Sequence, residues 1–264
     1  MTFRAAYGPL MGLLLPVLAA AQSAAAPATG TPTAPPGDEV ERLLAEVDAA
    51  WPERDAPGSF EAIKAKLDAA EKVAPNAYGV LWRISRWYWW AGDDAKLPEA
   101  EKSRFGKLGW DYGDRAAQAD PKKVEGWFYA SAGVGDYSLA MGVVTALLKG
   151  MEGKYTERLS KAEQIDPKFD NGAIDTSWGR FYYELPWPKY NAQRSEIRYQ
   201  MALGRNKGNV RARVYLAELY LKENHPKEAR AQMEKAIAEP PGAYDPAEER
   251  RYQAVARELL AKLK

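Results

Sequence analysis

Few residues of this 264-residue chain have the chemistry to act on a substrate. His225 is the only histidine and cysteine is absent. Those two facts remove thiol catalysis, Cys/His zinc ligation and a Ser-His-Asp mechanism together. Asp93 and Asp94 are adjacent carboxylates that could in principle share acid–base work, but they stand in a "GDD" stretch and read as turn residues. Gly153-Lys154 is followed by Tyr155 and has Leu148 where a phosphate loop needs its first glycine. Gly133-Val134-Gly135 lies in a helical stretch with no strand before it, so it is not a dinucleotide turn. His225, in "NHP", reads as a turn residue. No nucleophile can be matched to a base. The chain reads as non-catalytic, with no cofactor and no metal site expected.

What the chain does carry is aromatic surface: nine tryptophans and fifteen tyrosines. Trp82, Trp87, Trp89 and Trp90 fall within nine residues and cover most of a helix circumference, so they cannot all face one core. Each could pack internally, or the group could form a binding wall. In "LPWP", Pro186 and Pro188 stop any helix on either side of Trp187. Two uses of that tryptophan remain open. It folds back as a plug beside Phe181, Tyr182 and Tyr183, or its loop rims a pocket or docks a partner. Between Lys189 and Arg213 stand Lys189, Arg194, Arg198, Arg205, Lys207, Arg211 and Arg213 against the single acid Glu196. This run reads as a solvated helix face or as a surface for an anionic ligand. Across the whole chain, however, Lys plus Arg is 37 and Asp plus Glu is 36, which leaves no field for nucleic acid or an acidic membrane.

The elements that must hold these residues are helices. Arg4, the apolar run Leu10 to Leu18 and the small residues Ala19-Ala20-Ala21 read as a cleavable export signal over residues 1–21, which places the protein in the periplasm or outside the cell. No cysteine follows for a lipid anchor. Residues 22–37 read as a disordered Ala/Pro/Thr linker and residues 38–264 as the folded domain. Asp38 and Glu41 have capping-box spacing, and Asp245, Pro246 and Glu248 form a second such start for the last helix. No stretch alternates as a strand would. The fold class is all-α. Ser138 to Met151 is strongly apolar and reads as an extra helix, either buried against the rest or forming an oligomer interface.

The helices repeat. "LDAAEKVAP", "GDRAAQADP" and "LSKAEQIDP" each carry an alanine in the fourth place and a proline in the ninth. Ala70, Ala116 and Ala162 are spaced by 46, and Ala202 and Ala236 follow at 40 and 34. Thirty-four is the tetratricopeptide period, so the earlier units carry insertions. Leu216-Ala217, Tyr220, Ala229, Met233, Ala236 and Pro241 fall where that family places its signature residues. The chain therefore resembles a tetratricopeptide-like helical-hairpin array, an α-solenoid of about five units with a C-terminal capping helix. "DPKKVEGWFYASAGVG", "KGMEGKY", "IDPKFDNG" and "GRFYYELPWPKYNAQRSE" resemble the periplasmic T-component family associated with tripartite ATP-independent (TRAP) transporters, and more distantly the regulators of microtubule dynamics.

The tetratricopeptide resemblance implies a concave groove lined by set positions of each first helix. These are Trp82, Arg86, Trp89, Phe128, Arg180, Tyr183, Arg211 and Glu218, with Trp187 at the rim. The function it implies is that of an exported adaptor that binds a protein partner, such as a periplasmic solute-binding or transport protein. The alternative is a carrier of a small amphiphilic or anionic ligand among those aromatics. A homo-oligomer is compatible with either.

Overall fold

The computed structural model describes residues 36–240, 242 and 244–263, and the predicted export segment, residues 22–35 of the linker and the terminal proline Pro241 lie outside the described residues. Among those described there are twelve α-helices and no strand. They form antiparallel hairpins: α1 (Pro36–Ala50) with α2 (Ser59–Val73), α3 (Tyr78–Gly92) with α4 (Glu99–Ala119), and α5 (Val124–Ala140) with α7 (Met151–Ile165). Next come α8 (Ala173–Glu184) with α9 (Ala192–Arg205), and α10 (Val210–Lys222) with α11 (Pro226–Ala238). The short α6 (Val143–Leu148) is inserted in the third hairpin, and α12 (Pro246–Lys262) follows the last. Helix α1 begins two residues before Asp38, so that aspartate lies in the first turn and is not the cap expected of it. Asp245 does cap α12, its side chain accepting from the Glu248 N–H at 3.0 Å, but the Glu248 carboxylate pairs with Arg211 at 3.0 Å and does not close a box.

The repeat spacing has a physical cause. Ala70, Ala116, Ala162, Ala202 and Ala236 have no exposed surface, and each sits near the end of a second helix where the next hairpin approaches. Between α4 and α5 the approach is closer still. A Cβ on Gly113 would stand 2.5 Å from the Ala130 nitrogen, and one on Gly126 would stand 2.6 Å from the Ala117 nitrogen. Gly106 and Gly133 make the same backbone-to-backbone contact with Tyr137 and Trp110. Paired glycines seven apart on each helix thus lay one helix directly on the other. Gly133, set aside as a nucleotide-loop residue, belongs to this seam.

The apolar stretch 138–151 is neither one helix nor fully covered. Gly142 (φ 88°) and Gly150 (φ 70°) break it, using the left-handed region that glycine enters without cost. Ala146 and Met151 are buried, whereas Val144 is 62% and Leu148 85% exposed. Trp187 is 87% exposed, so it is not a plug over α8. The buried residue of that loop is Leu185.

Candidate functional site

The two ends of the array meet. Arg54, which follows a 3-10 turn over Trp51–Glu53, has no exposed side-chain surface, and its two terminal nitrogens donate to Asp245 at 2.8 and 2.9 Å. Its guanidinium lies 3.7 Å from the Trp90 ring and 4.5 Å from the Trp51 ring. Arg251 of α12 covers Trp90 at 3.3 Å, and Arg250 donates to Asp55 at 2.6 and 2.7 Å. Asp93, at the end of α3, gathers Arg211 at 3.1 Å, Arg251 at 3.4 Å and the Tyr252 hydroxyl at 3.1 Å. Asp93 therefore does more than turn the chain, while Asp94 accepts the Lys96 N–H at 2.9 Å within the turn. Ala247 of α12 belongs to the same buried cluster as Val40, Ile63 and Val80 of the first three helices. The last helix caps the array and also closes it onto its beginning.

Closure turns the concave side of the array into a chamber of about 390 Å³, within the usual range for small-molecule sites. First helices supply the wall in helical steps: Arg86 and Trp89 from α3 with Asp93 just past its end, Phe128, Ala132 and Asp136 from α5, and Thr176 and Arg180 from α8. Arg211 and Tyr215 come from α10, and Asp245 and Glu248 from the start of α12. Asp170 enters from a left-handed turn in which Asp170 and Asn171 both have φ 50° and Gly172 has φ 101°. A Cβ on Gly172 would lie 2.9 Å from the Ala202 Cα, so only glycine allows that turn to press on α9.

The wall's charges are unequally matched. Arg86 is paired with Asp48 at 3.0 Å, Arg180 with Glu184 at 2.7 Å and with Glu218, and Arg211 with Asp93 and Glu248. Asp245 is taken by Arg54, and Glu249 accepts the backbone N–H groups of Gly242 at 2.6 Å and Tyr244 at 3.1 Å. The Tyr155 hydroxyl donates to the Ser177 carbonyl at 3.0 Å, and the Tyr215 and Tyr252 hydroxyls meet at 2.8 Å. Two carboxyls are left over. Asp136 Oδ2 is buried with no hydrogen-bond partner, and Asp170 forms no ion pair among the described residues. Burial, then the nearby Asp93, pushes Asp136 well above the ordinary carboxylate range, with Arg211 opposing. Burial, then Glu248 and Asp245, pushes Asp170 up to about 7, with Arg86 and Arg211 opposing.

Of the residues expected to line a groove, Arg86, Trp89, Phe128, Arg180 and Arg211 share the chamber wall. Trp82 lies beside it, stacked on Tyr129 at 6.1 Å with Arg83 over its other part at 4.2 Å. Tyr183 and Glu218 are held by Arg180 outside the wall, and Trp187 stands on the outer surface. The other two tryptophans of the cluster point elsewhere. Trp87 stacks on Phe60 at 4.3 Å, and Trp90 is the buried partner of the closing arginines. The basic run is dispersed as well: Arg198 and Arg205 both bind the buried Asp175, at 2.8 and 2.5 Å, and Lys189 pairs with Glu152. Arg86, Arg180 and Arg211 of the wall are each paired with a carboxylate of the molecule, whereas Arg194 and Arg213 of the run form no ion pair among the described residues. Sequence reasoning missed Asp136, Asp170 and Arg54. Asp-Asn-Gly at 170–172 is a left-handed turn signature and could have singled out Asp170.

No protein-family model and no curated protein matches the chain. Solved structures do, TTC0263 and pilF among them. TTC0263, a thermophilic tetratricopeptide-repeat (TPR) protein of Thermus thermophilus, is 20% identical and aligns with a TM-score of 0.61 over 85% of this chain and 100% of its own. The pilF protein of Pseudomonas aeruginosa is 12% identical and aligns with a TM-score of 0.52 over 86% of this chain and 93% of its own. At such identities the likeness shows the fold, which is that of a tetratricopeptide helical array.

Proposed function

We propose that this protein is a non-catalytic binding protein that retains a small ligand in its central chamber. The observation that carries this reading is the Arg54–Asp245 pair, its arginine fully buried, which joins residues 191 apart and ties the two ends of the array across the groove. Trp89, Phe128 and Tyr215 supply apolar contact area, and a few polar groups converge among them, as ligand sites require. The export signal read at residues 1–21 and the resemblance to the transporter-associated family support work in the periplasm beside a solute-transport system.

A protein partner is the second reading, favoured by one observation: Val144, Leu148 and Trp187 are exposed on neighbouring segments joined by the Lys189–Glu152 pair. Native mass spectrometry of the protein, gently purified from the cells that make it, separates the two. An excess of a few hundred daltons that is lost on denaturation is the expected result. A bare protein mass with a second polypeptide attached would replace the chamber reading with the partner one.

A further inference from the structure

The chamber's imbalance of charge names a ligand class. Each of its arginines is ion-paired with a carboxylate of this chain, although Nε of Arg86 and of Arg211 has no hydrogen-bond partner, whereas Asp136 and Asp170 take part in no ion pair among the described residues. The buried Asp136 Oδ2 with no partner costs free energy that a ligand donor would relieve. Asp170 adds a second cost, since it and Asn171 occupy the left-handed region, which disfavours residues other than glycine. That turn brings Asp170 to the chamber wall. The rings of Trp89, Phe128 and Tyr129 line the same chamber, with Tyr129 near Asp170.

We propose that the chamber takes an organic cation: an amine with an apolar body, its charge countered by Asp136 and Asp170 and its body lying against Trp89 and Phe128. This rests on the reading of the chamber as a ligand site. Aromatic faces and carboxylates together attract ammonium groups, the first through the ring quadrupole and the second through charge-assisted hydrogen bonds. Among the described residues no three potential metal ligands converge, so the arrangement does not resemble the oxygen cage a metal ion needs. Burial favours the neutral form of both acids. Asp93 and Arg211 face Asp136, and Glu248, Asp245, Arg86 and Arg211 face Asp170. An entering ammonium supplies the missing partner and makes the ionised form favourable.

The test is isothermal titration of the full protein at pH 8 with three probes of one shape: 2-phenylethylammonium, 2-phenylethanol and phenylacetate. The expected result is binding of the cation at least about tenfold tighter than of either other probe. That preference should disappear in Asp136→Asn and Asp170→Asn, while affinity for the alcohol is kept. Asparagine tolerates the left-handed turn at 170, and circular dichroism checks that both variants fold. Equal or tighter binding of the alcohol or of phenylacetate would overturn the cation assignment and leave the chamber a ligand site. A preference that survives both substitutions would remove these two acids from the role. If none of the three probes binds or raises the melting temperature, the inference and the chamber reading fall together.

Discussion

Asp170 is the residue on which stability and function pull apart. Held near a pKa of about 7 by burial and by Glu248 and Asp245, it keeps its proton in the folded state at pH values where the unfolded chain, with an ordinary carboxyl, has released it. Between those two values the native state binds more protons than the unfolded state, so this group's contribution falls as pH rises and is fully lost above pH 7. Asparagine has no proton to lose. Melting curves of the wild type and Asp170→Asn should therefore agree near pH 4 and separate towards pH 7.5, the variant being more stable by up to about 4 kcal/mol. Curves that stay parallel across that range would show that Asp170 titrates normally.

At the scale of elements, the seam between α4 and α5 decides where the chamber wall stands, since α5 carries Phe128 and Asp136. Two substitutions of the same chemistry should have opposite signs there and away from it. Gly113→Ala must force apart backbones that leave its Cβ 2.5 Å from Ala130, at a cost of about 3 kcal/mol or more. Gly153→Ala, on the exposed face of α7 with nothing within 4 Å, should instead stabilise by roughly 0.5–1 kcal/mol through helix propensity. Urea denaturation of both variants reads this directly. A harmless Gly113→Ala would mean that the helices are not in backbone contact.

The whole molecule is defined by its closure. Arg54 is fully buried between two tryptophan rings and bound to Asp245, and removing one partner of such a pair leaves the other charge stranded. Arg54→Met should cost about 3–5 kcal/mol and increase the radius of gyration measured by small-angle scattering as α12 swings away. Arg250→Ala, which removes a more exposed pair with Asp55, should cost no more than about 1 kcal/mol and leave the radius unchanged. An Arg54→Met protein of wild-type radius would show that apolar packing around Ala247 closes the ring without the ion pair.

The sequence by itself determined the helical class, the hairpin repeat and the five interface alanines, because these follow from local periodicity and from the need for small residues wherever second helices are approached. It also determined that the tryptophans could not share one core. Which tryptophan lines the chamber was settled only by the tertiary structure, since Trp87 and Trp90 are claimed by Phe60 and by Arg54 and Arg251. Three of the arginines that looked available to an anion, Arg198, Arg205 and Arg211, are taken by acids up to 118 residues away, as Arg211 is by Asp93. Asp136 looks like any helix residue in the sequence, and its lack of a partner exists only in three dimensions. The physical reason is the same throughout: periodicity is a property of near neighbours along the chain, whereas charge balance and enclosure depend on groups that meet only when the array closes.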